Sequence, residues 1–302
     1  MADSNPTPIR GSGERPVPDA ARARETGEPG APREARRLRI QLRGLVKSFG
    51  PKLVLDHLDL DVADGESMVI VGGSGTGKSV TLKHIIGLLK PDSGSVVVDG
   101  VNVDQLDNRA ITEFRRRFGM AFQEGALFDS MNVFDNVAFP LRRLSRKSSG
   151  EIRQRVDECL EMVRLEGLGA RDISELSGGM RRRVGFARAI AHEPEILLFD
   201  EPTTGLDPVT TAQIGEVIHD IGERSKTTMV TITHDMQVAF RVAHRIAMLD
   251  RGKIIAEAPP EEFKQLPDAR VKQFIHGEAE GPLSDQPAEG GAGRRGTGGF
   301  GR

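Results

Sequence analysis

Gly72-Gly73-Ser74-Gly75-Thr76-Gly77-Lys78-Ser79 is the stretch that decides how this chain folds. It fits G-x-x-x-x-G-K-[ST], a pattern that carries weight only between a strand and a helix. Before it, Met68-Val69-Ile70-Val71 is continuously apolar, as a strand covered on both faces must be. After it, residues 78–89 read as a helix, which Pro91 is expected to end. Glycines let backbone N–H groups turn inward without a Cβ clash. Those donors join the helix N-terminus in cradling an anion, and phosphate is the anion this arrangement suits. Lys78 is placed to reach the β- and γ-phosphates of a nucleotide, and Ser79 to hold Mg2+.

Outward from the loop, strand and helix patterns alternate. Residues 38–46, 58–62 and 95–98 read as strands, the last ahead of the turn pair Asp99-Gly100. From about 125 to 190 the pattern is mostly helical, with 152–163 amphipathic. Buried strands return at 196–199, 229–233 and 245–249, with a helix from 208 to about 224 between the first two. This is an α/β pattern with a helical insertion. The loop motif is shared by kinases, GTPases, motors and transporters. The chain holds no [NT]KxD guanine-reading motif, which counts against a GTPase.

The apolar run at 196–199 leads into Asp200-Glu201-Pro202. A carboxylate at the end of a buried parallel strand sits beside the nucleotide. Asp200 is expected to assist Mg2+ through water, and Glu201 to polarise the attacking water. Upstream, Leu176-Ser177-Gly178-Gly179-Met180 precedes a helix expected from about 181 to 191. Ser177 and the Gly178-Gly179 backbone make a donor-rich helix start suited to an anion.

That last segment resembles the LSGGQ signature of ABC ATPases, with Met180 in the final place. An LSGG some hundred residues after a phosphate loop and some twenty before an acid pair is specific. The resemblance covers roughly residues 38–260. It implies a P-loop NTPase of the ABC ATPase type: a RecA-like α/β core, an antiparallel β subdomain and a helical insertion at about 125–190. It implies an ATPase whose signature serine and glycines face the γ-phosphate of ATP held by a second copy, head to tail. Gln123 resembles the glutamine that touches Mg2+ and senses the helical subdomain. Asp207, in Gly205-Leu206-Asp207, resembles the loop that contacts the dimer partner, and His234 the switch histidine on the γ-phosphate. Phe49 falls where the family stacks an aromatic on adenine, and an ordinary packing role stays open for it. The implied nucleotide-binding set is Phe49, Gly72, Gly73, Ser74, Gly75, Thr76, Gly77, Lys78, Ser79, Val80, Ser177, Gly178, Gly179 and Asp207. The catalytic set is Lys78, Gln123, Glu201 and His234, and the Mg2+ set is Ser79, Gln123 and Asp200.

Two stretches narrow the resemblance. Residues 123–142, QEGALFDSMNVFDNVAFPLR, look like the segment after the glutamine loop in Mla-type ATPases of MCE-linked phospholipid transport. Residues 267–274 and Met180 look like that subfamily too. The implied partners are a second copy, an integral membrane permease, an MCE lipid-binding protein and a STAS-domain regulator. Phe128, Met131, Val133, Phe134 and Phe139 crowd this stretch, either as core or as a groove for a helix of the permease.

Composition agrees. A formal net charge of −2 gives no reason to expect nucleic-acid binding. The one cysteine, Cys159, reads as a packing residue and excludes an internal disulfide or a zinc cluster of several cysteines. No apolar run approaches the ~18–20 residues of a spanning helix, and the N-terminus lacks a secretory core. The expected place is the cytoplasmic face of the inner membrane, through a partner. Residues 1–37 and 281–302 read as disordered tails, and 261–280 as a helical extension. Two other functions stay open: an importer of polar solutes such as amino acids, and a soluble ABC protein of translation or DNA repair. A single cassette without coiled coils or clustered cysteines disfavours the latter.

Overall fold

The computed structural model describes residues 37–123 and 125–284. The other terminal residues, and so nearly all of both expected tails, lie outside the described residues.

The chain opens with two long antiparallel strands, β1 (Leu38–Phe49) and β2 (Lys52–Ala63), then β3 (Ser67–Val71). Helix α1 (Lys78–Ile85) follows the phosphate loop, and β4 (Ser93–Val98), β5 (Val101–Asn102) and α2 (Asn108–Arg115) follow it. β6 (Phe118–Ala121) leads to the insertion, α3 (Val133–Leu144), α4 (Ser149–Met162) and α5 (Gly178–Ile190). Then come β7 (Ile196–Asp200), α6 (Pro208–Ser225), β8 (Thr228–Thr233), α7 (Met236–Val242), β9 (Arg245–Asp250) and β10 (Lys253–Ala258). Two short helices, α8 (Pro260–Phe263) and α9 (Ala269–His276), end the described chain.

These strands form two sheets. One is antiparallel, in the order β2-β1-β4-β5. The other runs β10-β9-β3-β8-β7-β6, parallel apart from the β9–β10 pair. Alternation along the parallel strands explains their unbroken apolar sequence. Met68, Ile70, Ile196, Leu198, Val230 and Ile232 pack toward the antiparallel sheet. Val69, Val71, Leu197, Phe199, Ile246 and Met248 pack toward the inserted helices, α6 and α7. The strands therefore end where the phosphate loop, Asp200 and His234 begin.

Several expectations need correction. Helix α1 stops at Ile85, well before Pro91. Gly87 takes φ +69° and its N–H returns to the His84 carbonyl at 2.9 Å, which closes the helix. The helix after the signature starts at Gly178 rather than near 181, because Ser177 caps it: the Met180 N–H donates to Ser177 Oγ at 3.3 Å. Strands β6 and β10 carry no strand signal strong enough to have been read. β6 is a four-residue edge strand with Gly119 inside it, where a Cβ would overlap the Ala189 carbonyl. Finally, 281–284 do not extend away from the domain. The buried Gln273 carboxamide donates to Ser284 Oγ at 2.8 Å and accepts from the Leu283 N–H at 2.7 Å.

Candidate functional site

The phosphate loop is held by its own backbone and by its neighbours. A Cβ at Gly72 would overlap the Leu249 carbonyl oxygen of β9. Gly77 takes φ +111°, and a Cβ there would come within 2.7 Å of Leu55 Cδ2. Both positions therefore exclude a side chain. Thr76 Oγ1 donates to the Gly73 carbonyl at 3.0 Å. Ser74 and Gly75 form the exposed tip, and Val80 packs against the core of the antiparallel sheet.

Lys78 is buried. Its ammonium donates to the carbonyls of Gly72 at 2.8 Å and Gly73 at 2.9 Å, and lies 3.4 Å from Glu201 Oε1. A cation held only by loop carbonyls and one carboxylate can exchange those carbonyls for phosphate oxygens.

Asp200 and Glu201 diverge at the end of β7. Ser79 Oγ donates to Asp200 Oδ1 at 3.2 Å. Burial pushes the Asp200 carboxyl above its ordinary range. The neighbouring Glu201 charge adds to this, and the Ser79 hydrogen bond opposes it. A hydroxyl and a desolvated carboxylate side by side form the hard oxygen donor set that Mg2+ takes. Glu201 has φ +49° and turns away. Its Oε2 meets His234 Nδ1 at 2.8 Å and accepts from Thr204 Oγ1 at 3.2 Å. A carboxylate only accepts, so Nδ1 is the donor of this pair. His234 is exposed at the end of β8, just before Asp235, which caps α7.

Lys78, Ser79, Asp200, Glu201 and His234 thus form one contiguous cluster. The remaining predicted residues stand apart. Gln123 is exposed, and the atom tied down is its backbone carbonyl, which accepts from Arg182 at 2.9 Å. Ser177 and Gly178 are exposed at the start of α5. Gly179 is buried where a Cβ would come within 2.5 Å of Thr210 Cγ2. Among the described residues, no hydrogen bond or ion pair joins Ser177, Gly178 or Gly179 to the phosphate loop of the same chain. Asp207 caps α6, accepting from the N–H groups of Val209 and Thr210, each at 3.0 Å. Phe49 is 47% exposed at the tip of the β1–β2 hairpin, with the Lys47 ammonium 5.7 Å from its ring centre. An open ring face fits stacking. Sequence reasoning missed Thr204, whose hydroxyl orients Glu201; a threonine after Asp-Glu-Pro carries no spacing signal of its own.

Comparison with known proteins gives the family. The family model described as ABC transporter matches residues 55–204. A probable ribonucleotide transport ATP-binding protein of Mycobacterium leprae is 43% identical over 244 residues, 81% of this chain and 70% of the relative. An intermembrane phospholipid transport system ATP-binding protein of Haemophilus influenzae is 41% identical over 244 residues, 81% of this chain and 92% of the relative. Its Escherichia coli counterpart is 37% identical with similar coverage. Among solved structures, a dimeric ATP-binding cassette in a post-hydrolysis state with ADP and Pi superposes with a TM-score of 0.67. It is 34% identical and covers 73% of this chain and 98% of that one.

Proposed function

Because the chain belongs to the ABC transporter family of ATP-binding proteins, we propose that it hydrolyses ATP to drive phospholipid transfer between membranes. The single observation that carries the catalytic part is the Glu201 carboxylate, held between Lys78 and His234 beside the Ser79–Asp200 pair. Glu201 accepts a proton from water as the water oxygen attacks the γ-phosphorus, and ADP leaves. His234 and Thr204 fix the carboxylate orientation. Lys78 moves from the carbonyls of Gly72 and Gly73 onto the β- and γ-phosphate oxygens. Ser79 and Asp200 would hold Mg2+, with Gln123 completing that set, and the ion would supply neutralisation of phosphate charge. Phe49 stacks on adenine. Ser177 and Gly178, exposed at the start of α5, and the backbone of the buried Gly179 beside them serve the γ-phosphate held by a second copy.

No helix among the described residues is long and apolar enough to cross a membrane. The ATPase works as a dimer with membrane components, which fits a peripheral position. The finer assignments are a permease in the inner membrane reached from its cytoplasmic face, an MCE lipid-binding protein and a STAS-domain regulator. Phospholipid is favoured because 92% of the Haemophilus influenzae phospholipid-transport relative is covered. A ribonucleotide cargo is the second reading, supported by the 43% identity to the Mycobacterium leprae relative.

One experiment separates these readings. The complex captured through this chain is reconstituted in vesicles, and movement of labelled phospholipid and of labelled ribonucleotide is followed with ATP. Phospholipid movement that stops in Glu201→Gln supports the proposal. ATP-driven ribonucleotide movement without lipid movement overturns the cargo.

A further inference from the structure

Arg182 lies on α5 outside every motif used above, yet its guanidinium grips two loops. Nε donates to the Gln123 carbonyl at 2.9 Å, and one terminal nitrogen donates to the Pro202 carbonyl at 3.1 Å. The other terminal nitrogen donates to the Thr204 carbonyl. A planar fork of donors can hold three carbonyls at once in a way a point charge cannot.

The turn it holds is the one that aims Glu201. Glu201 stands at φ +49°, a conformation that a side chain with a Cβ adopts only under local constraint. The backbone bond that closes the turn on Glu201 is long: the Thr204 N–H donates to the Glu201 carbonyl at 3.4 Å. Arg182 adds two bonds to carbonyls of the same turn, Pro202 and Thr204.

The loop of Gln123 is held from the same helix. Arg188 donates to the carbonyls of Gly125 at 2.7 Å and Ala126 at 2.8 Å. A Cβ at Gly185 would come within 3.1 Å of Gly125 Cα, so helix and loop are in close contact. The signature helix and the Gln123 loop are therefore bound to each other, and Arg182 extends that contact to the Glu201 turn.

We propose that Arg182 is a positioning residue that ties the Glu201 carboxylate to the loop of Gln123. Hydrolysis then depends on the signature helix, the Gln123 loop and the Glu201 turn being in register. The proposal rests on Glu201 being the base.

The test uses the full chain. For Arg182→Ala, kcat is expected to fall about ten-fold or more while the Kd for ATP stays within about three-fold. Arg155→Ala is the control. Arg155 donates to the carbonyls of Ile190 at 3.0 Å and Ala191 at 3.1 Å, at the opposite end of α5 from Arg182, and among the described residues makes no bond to the Gln123 carbonyl or the Glu201 turn. That variant is expected to lower Tm and keep kcat. Arg182→Lys places a single ammonium where three carbonyls need donors, so kcat recovers only in part. Should Arg182→Ala fail to fold, Arg182→Lys decides: reduced kcat at unchanged Tm supports the tie, and wild-type kcat overturns it. Unchanged kcat in Arg182→Ala, or a loss matched by Arg155→Ala, also overturns it. Glu201→Gln separates this from the base assignment. If Glu201→Gln is inactive while Arg182→Ala keeps its kcat, only the tie fails; if Glu201→Gln turns over normally, the base assignment fails.

Discussion

Asp200 and Glu201 are neighbours in sequence with different surroundings. Asp200 is desolvated and raised, whereas Glu201 is held by Lys78 and His234. A carboxyl whose folded pKa is raised stabilises the fold while protonated, and that contribution is lost as pH rises through the raised value. Bound Mg2+ has the opposite preference, because it needs the carboxylate. Mg2+-dependent ATP binding is therefore expected to weaken on acidification starting above the usual aspartate range, about pH 4. A titration of Mg2+ affinity against pH checks this, with Asp200→Asn removing the dependence. Cys159 gives a simpler residue-scale prediction. Burial pushes its thiol up to about 11, so the folded protein should resist alkylation near neutral pH and react only on unfolding. Rapid labelling of the native chain would contradict its packing role.

At the scale of elements, α5 joins the inserted helices to the core. Phe186 on α5 meets Phe199 on β7 edge-on, with ring centres 5.2 Å apart. Phe186→Ala should cost about 3–5 kcal/mol, read as a shift in denaturant midpoint. The crowded stretch after Gln123 divides in two. Val133 is fully buried, whereas Phe128 is 40% exposed, its ring tilted against that of Phe139 with centres 4.8 Å apart. Val133→Asp should unfold the helical insertion. Phe128→Asp should leave Tm and ATP binding unchanged and abolish co-purification with the permease. Normal assembly of Phe128→Asp would move the docking surface elsewhere. Much of this organisation was legible because its chemistry is local in sequence. The phosphate loop, the acid pair and the signature each lie within a few residues, and each sits at an element end that apolar runs mark. β6 was not legible, since Phe118-Gly119-Met120-Ala121 is short and gains its partner from β7. Arg182 was not legible either, since its three carbonyls come from segments far apart in sequence.

At the scale of the whole molecule, one chain presents two half-sites on different elements. The phosphate loop, Asp200, Glu201 and His234 lie at the ends of the parallel strands. Ser177 and Gly178 lie exposed on the insertion, with no bond to that cluster among the described residues. Under the proposed reading, a head-to-tail pair gives each phosphate loop the signature of the other copy. The folded-back turn at 281–284 shows the same limit of local reading: its polar composition resembles a tail, and only the buried Gln273 gives it a place. The most direct test of the shared site is the solution mass of Glu201→Gln with and without ATP and Mg2+. With ATP, the 32.8 kDa chain is expected to shift to twice that mass, and adding Ser177→Arg is expected to abolish the shift while the isolated chain keeps its ATP affinity. A mass that stays at one chain under saturating ATP, or a Ser177→Arg chain that no longer binds ATP, would contradict the shared site.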